Sequence, residues 1–407
     1  MKIFTKYIFL VIPSFFCIVK VAVSATGLTP EDAMKASWPT VCSDTTKLGS
    51  ELSDVCVTNG LGTGGTASDS STATSAVLGN VANLSDKNQK DKVEGRLEEL
   101  KEKSSGGTVS ILDSERLGFF ITGNTTQTQR ITTDFGTGYE SDDGGFIVGI
   151  DYFITNKWVA GFSVGYSNTD LTFNGDAGST ELDSVNTLLY TSYAVTDAFS
   201  LDGYLGWTGI EYDMARNVVF DVSCGCSSTF LGRTTGKTAA NKVTTGLTAA
   251  YGFNLHSLAI NPKLKLDYAG TFIDEFSEQE DPNNISGVAL KYQDQDIHSL
   301  KTELGVDLDY AFSTEWGVIL PHVGLSYVHE FLNDSRTIHT SFVQDLNTTP
   351  YDMAFVTDDP DRDYMVFSTG ISTVLSRGIQ IFLNYERVDL HKYIESYSVS
   401  GGVRVGF

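Results

Sequence analysis

The sequence predicts an all-β fold, a twelve-stranded antiparallel transmembrane β-barrel with an N-terminal helix threading its lumen. Three observations carry this. The chain ends in strict alternation: Tyr397, Val399, Gly401, Val403, Val405 and Phe407 fall on one face, and Ser398, Ser400, Gly402, Arg404 and Gly406 on the other. A strand sends successive side chains to opposite faces, and a barrel between lipid and water needs this apolar-out, polar-in pattern. From residue 116 onward, short and long connections also alternate through the first ten, as short periplasmic turns and long outer loops do. Only the last, near Asp389 to Lys392, is a short outer one. Finally, beyond the first 25 residues no apolar run approaches the about 20 residues that a membrane helix requires.

Taken from the start, Lys2 and Lys6 precede the largely apolar Ile8 to Val23, and Val23-Ser-Ala25 supplies a small-residue cleavage site. Residues 1–25 are thus expected to be a secretory signal, cut after Ala25. Residues 26–110 form a short head. Within it, Asn59 to Gly79 is rich in Gly, Ser, Thr and Ala and reads as flexible. Ser85 to Lys103 places Val93, Leu97 and Leu100 at helical spacing among charges, a stripe too narrow to dock on a core and suited to a polar channel. Gly106-Gly107 then lets the chain turn into the barrel, 116–407.

Strands are expected at 116–128, 144–155, 157–171, 182–195, 198–213, 241–254, 257–274, 297–312, 315–331, 363–375, 378–389 and 393–407. Tight turns fall at Asn156, Thr196-Asp197, Leu255-His256, Ser313-Thr314 and Ser376-Arg377. Longer polar connections occupy 129–142, 172–181, 214–240, 275–296 and 332–362. Trp158 and Trp316 lie just beyond short turns, where interfacial aromatics belong.

The net charge is −23, and about −26 without the signal lysines Lys2, Lys6 and Lys20. So acidic a chain repels nucleic acid, and repels anionic headgroups unless divalent cations bridge them. Export places Cys42, Cys56, Cys224 and Cys226 in an oxidising compartment. Four cysteines allow three connectivities. A Cys42–Cys56 bridge closes a short loop across a helical hairpin, whereas Cys224 and Cys226 are too close in sequence for an unstrained bond.

No catalytic set emerges. Gly161-Phe-Ser163-Val-Gly165 matches a nucleophile elbow in letters only, because Ser163 sits mid-strand and the elbow needs a strand-to-helix turn. The six histidines show no metal spacing, and His322 and His329 face opposite sides of one strand. Asp358-Asp-Pro-Asp361-Arg-Asp363 lacks the glycine and closing glutamate of a calcium loop. No cofactor is implied.

The barrel region resembles the carboxy-terminal β-domain of autotransporters. The resemblance rests on Gly145-Phe-Ile-Val-Gly149-Ile-Asp151-Tyr152, Gly161-Phe-Ser-Val-Gly-Tyr166, Tyr292-Gln-Asp-Gln-Asp296, Trp316-Gly-Val-Ile-Leu-Pro321, Val328-His-Glu330-Phe331, Asp361-Arg-Asp-Tyr364 and the terminal Phe407. It implies residence in a Gram-negative outer membrane among lipid and lipopolysaccharide. It also implies Sec export, insertion by the barrel-assembly machinery with Tyr397, Val399, Val403, Val405 and Phe407 as the assembly signal, and a monomer. Unlike members with a long β-helical passenger, this chain has only a short head and lacks a match to the Asn-containing lumenal cleavage junction. The expected role is therefore to anchor and display the head and outer loops, with adhesion as its use. The competing reading is an outer-membrane enzyme or pore with active residues at the rim or in the lumen. Deleting Phe407 is expected to lower outer-membrane yield, with loss of the heat-modifiable gel band as the readout.

Overall fold

Alternation decides which side chains meet which solvent, and the computed structural model carries it through a closed sheet. The structure describes residues 27–61, 67–69, 71, 72, 74, 116–222, 229–375 and 379–406. Its twelve long strands are β1 (Leu117–Arg130), β2 (Tyr139–Thr155), β3 (Trp158–Phe173), β4 (Gly178–Ala194), β5 (Phe199–Val222), β6 (Thr229–Tyr251), β7 (Leu258–Ile273), β8 (Gln295–Tyr310), β9 (Gly317–Glu330), β10 (Asp363–Leu375), β11 (Ile379–Asp389) and β12 (Ile394–Gly406). Each pairs antiparallel with its neighbours in sequence. β1 returns to β12 from Gly118–Gly406 to Arg130–Ile394, so the barrel has no free edge.

Outward positions form an apolar band. Val148, Phe162, Leu189, Leu205, Leu247, Leu304, Leu325 and Leu383 all point away from the interior. So much apolar surface is untenable in water and is what a lipid-facing wall presents. Aromatics flank the band at both levels: Tyr152, Trp158, Tyr193, Tyr251 and Tyr310 toward the short turns, and Phe146, Tyr166, Trp207, Phe272 and Tyr397 toward the long loops. Trp316 lies within its turn, because Phe312–Thr314 continues to pair with β9 and moves the turn past Ser313-Thr314. Beyond the outer aromatics the wall becomes acidic. Asp142 opposes Asp170, Asp170 opposes Glu181, and Glu181 opposes Asp213 on successive strands. Lys237, 2.5 Å from Asp213, ends this row.

The interior is polar along most of its height. Arg404 pairs with Asp151 at 3.0 Å, Lys263 with Asp307 at 2.8 Å, and Asn261 donates to Asp309 at 2.6 Å. Facing charges satisfy one another, Lys263 and Asp307 on neighbouring strands and Arg404 and Asp151 across the intervening β1, which offsets part of their desolvation. One inner patch is apolar, with Phe120, Ile147, Val159, Leu188 and Tyr190 in contact. Gly149 and Gly161 make room there, since a Cβ at either would strike the ring of Phe120 or Tyr190.

Three long connections are more ordered than their polarity suggests. β5 and β6 run on into 214–240 because the inward positions Arg216, Val218, Thr234 and Ala240 are buried. From 275–296 and 332–362 a second, four-stranded sheet forms, ordered Phe276–Ser277, Leu290–Tyr292, Thr337–Phe342, Met353–Val356. The run Asn59 to Gly79, expected to be flexible, contributes Ala67–Asp69, which pairs with the end of β5, and the buried Ser71, Thr72 and Thr74. Ala25, the helix expected at 85–103, Cys224, Cys226, the turn at Ser376-Arg377 and Phe407 lie outside the described residues.

An arginine on the lipid face should be penalised by depth. Leu247→Arg, within the band, is expected to cost about 2–4 kcal/mol and Asn241→Arg, at its outer boundary, about 0–1. Reversible unfolding in phospholipid vesicles measures both.

Candidate functional site

The long-loop mouth of the barrel is the candidate site, and a helical head closes it. Helix α1 (Pro30–Val41) starts where Thr29 Oγ1 accepts the Asp32 N–H and Pro30 occupies the first turn. Ala33, Met34, Ser37, Trp38 and Val41 share its buried face, the spacing of an amphipathic helix. The Cys42–Cys56 disulfide ties its end to α2 (Ser50–Thr58), which buries Leu52 and Cys56.

α2 begins at Gly49, which has no capping side chain. The cap comes from the loop between the last two strands of the small sheet: Gln344 Oε1 accepts the Leu52 N–H at 3.0 Å, and the Gln344 carbonyl accepts the Gly49 N–H at 2.9 Å. Orphan N–H groups at a helix start need such partners. Nearby, Leu48 and Asp345 form a β-bridge, and Leu346 N–H reaches the Lys47 carbonyl.

Apolar packing does the rest. One core joins Met34, Trp38 and Leu52 of the head, Ile338, Phe342, Met353 and Phe355 of the small sheet, and the upper inner wall at Tyr139, Leu171, Phe173, Ile210 and Tyr212. Trp38 stacks on Phe342 at 5.0 Å and donates its Nε1–H to the Ala67 carbonyl at 2.8 Å. The mouth is therefore an apolar core, and among the described residues the polar channel expected for the lumen does not extend into this end.

Two arginines at the mouth have contrasting settings. Arg216 on β5 grips Glu278 in two contacts, 2.8 and 2.5 Å, and Glu278 also accepts the Leu290 N–H. This clamp joins the barrel wall to the small sheet, and removing either charge would strand the other in the core. Arg336 immediately precedes the Thr337–Phe342 strand of that sheet, on the face that carries Ile338. Its Nε and Nη2 are buried and have no hydrogen-bond partner among the described residues, and burial lowers its pKa to about 10.

The acidic loop Asp358–Asp363 disperses its carboxylates. Asp358 pairs with Arg130 and Thr133, Asp361 accepts the Lys392 N–H, and Asp363 receives Tyr327 and His329. Among the described residues no group of three His, Cys, Asp or Glu side chains converges. Ser163 is buried on the inner face of a straight β3. His322 faces inward to Asn384, and His329 faces outward. Trp158, whose Nε1–H reaches Thr191, and Trp316 are exposed at the short-turn end. Tyr397, Val399 and Val403 lie on the outward face of β12.

Trp38, Gln344, Phe342, Phe355, Arg216 and Glu278 escaped the sequence reading. The only signal was the period-two spacing of Ile338, Thr340 and Phe342, and of Met353 and Phe355, inside segments whose Asp, Asn and Pro marked them as loops.

A closed barrel with a lipid-facing band and a plugged mouth defines an outer-membrane β-barrel protein. The autotransporter β-domain family model matches residues 119–386, and the chain belongs to that family. The fold is similar to the translocator domain of the autotransporter NalP from Neisseria meningitidis, with a TM-score of 0.56 at 14% identity over 78% of this chain and 96% of that one. It is also similar to the β-domain of the Bordetella autotransporter Brka, with a TM-score of 0.52 at 17% identity over 72% of this chain and 100% of that one. A search of curated protein sequences found no match.

The disulfide should contribute to the head and not to the barrel. With Cys42 and Cys56 replaced by serine, the head is expected to lose about 3 kcal/mol. Protease sensitivity of 27–61 should rise steeply while the heat-modifiable barrel band persists.

Proposed function

We propose that this outer-membrane autotransporter-type barrel anchors and presents its own short head at the cell surface, where head and outer loops together form an adhesive cap. It acts without catalysis, and its head is retained instead of being released. The observation that supports this is topological. β1 begins at the short-turn end, where Leu117 opposes Tyr152, yet the head that precedes it in sequence packs at the long-loop end. A segment on the amino-terminal side of β1 that is found at the far mouth has been carried across the barrel's full height. With short turns periplasmic, that mouth is the outer one.

Retention follows from burial. Trp38, Met34 and Leu52 have no solvent exposure, and all three lie in the core shared with the barrel loops. Losing a buried tryptophan typically costs about 3–5 kcal/mol, so undocking several such residues together is strongly disfavoured.

A membrane-impermeant amine reagent applied to intact cells tests the reading. Lys35 and Lys47 are exposed on the head, with 37% and 59% of their side chains accessible. Peptide mapping should find both modified without permeabilisation. Modification only after the outer membrane is opened would place the head in the periplasm and refute display.

A further inference from the structure

The last connection at the long-loop end is the turn Leu390-His-Lys-Tyr393, between β11 and β12. Leu390 is held at a φ of 63°, in the left-handed region that a leucine rarely adopts. The turn is held by His391, whose Nδ1 lies 3.2 Å from the backbone nitrogens of both Tyr393 and Ile394. Both are N–H donors, so Nδ1 must accept and the ring proton sits on Nε2.

This turn also joins separate parts of the mouth. Ile131 N–H donates to the Tyr393 carbonyl, across the seam where β1 meets β12. Lys392 N–H donates to Asp361 at 2.5 Å, in the loop by which the chain leaves the small sheet. The groups around the imidazole are few. Asp361 Oδ2 is 3.9 Å from Nδ1, and the Tyr364 ring of β10 is 5.3 Å away. Arg130 at the end of β1 and Lys301 of β8 add positive charge nearby. Arg130 lies over the Tyr393 ring and is paired with Asp358. On the turn itself, Lys392 Nζ contacts the Tyr393 hydroxyl at 2.8 Å.

We propose that His391 is a pH-operated latch, which in its neutral form holds the 390–393 turn against the seam and the loop below the small sheet, and which releases them when Nδ1 takes a proton. The step is a simple proton uptake from solvent. Nδ1 changes from acceptor to donor, so a third N–H faces the two backbone N–H groups and both hydrogen bonds are lost. Asp361 offers some attraction to the imidazolium, but its near oxygen is already engaged by Lys392 N–H.

The direction of the electrostatics agrees. Burial is the largest influence on His391; it outweighs the attraction of Asp361, and Lys301 and Arg130 reinforce it, so the pKa falls below the usual 6.5. A released turn binds a proton at the ordinary pKa and the closed one less readily. The latch is therefore at full strength above about pH 6.5 and weakens as pH falls below it, by up to about tenfold in its closed-to-open ratio per pH unit.

Hydrogen exchange on the full-length protein in lipid nanodiscs tests this. It follows the peptide containing Tyr393 and Ile394, corrected for intrinsic rates, at about pH 7.5 and about pH 5. The wild type is expected to lose about tenfold in protection at the lower pH. His391→Asn keeps a side-chain acceptor for the same two N–H groups and does not titrate, so its protection should be independent of pH. Asp361→Asn removes the one attraction that favours the charged ring and should enlarge the loss at low pH, a second readout if the asparagine variant assembles poorly. Equal wild-type protection at the two pH values would overturn the proposal. So would an undiminished pH response in His391→Asn, which would assign it to the carboxylates.

Discussion

Inside hydrocarbon, a backbone N–H or C=O without a partner has no water to turn to, and that constraint governs this molecule. It is met by closing β1 onto β12, from Gly118–Gly406 to Arg130–Ile394. Closure leaves no sheet edge within the membrane. It also fixes register for every strand, because a slip of one residue would exchange the lipid and lumen faces. Leu247 and Lys242 illustrate this, being five residues apart on β6 with one exposed on the outer wall and the other buried on the inner.

Given the closed wall, the charge distribution follows. Inward charges find partners across the wall: Lys263 meets Asp307 on the adjacent strand, and Arg404 of β12 reaches Asp151 of β2 over Gly118 of the intervening β1. Outward acids collect past the outer aromatics, where water and headgroups solvate them. Like charges directly opposite one another, as in the row from Asp142 to Asp213, cost some sheet stability. That row lies on the strands that lead toward the long β5–β6 hairpin, where neighbouring pairings are most extensive.

Barrel strands were legible because each carries many alternating positions and each short turn resets the pattern. Trp158 through Ser167 reveals β3 without any long-range information. The mouth was less legible for physical reasons. Its sheet uses strands of two to six residues, too short for a period to stand out among Asp, Asn and Gly. Arg216 and Glu278 meet across 62 positions, and neither residue's local setting announces a buried pair. The Cys42–Cys56 bridge was readable because both cysteines belong to one helical hairpin. Trp38 looked like any aromatic on an amphipathic helix, since what it packs against is folded from the far end of the chain.

The cap that Gln344 places on α2 has a kinetic consequence. Donor and acceptor are 292 residues apart in sequence, and their contact has among the largest loop-closure costs in the molecule. The helix start has no capping side chain of its own, and Trp38 has no ring to stack on until the strand carrying Phe342 is in place. The head's native form is thus unavailable while the chain is partly made or partly inserted. It is completed only once the carboxy-terminal third has been threaded into the membrane, so a segment made before the whole barrel is among the last to fold.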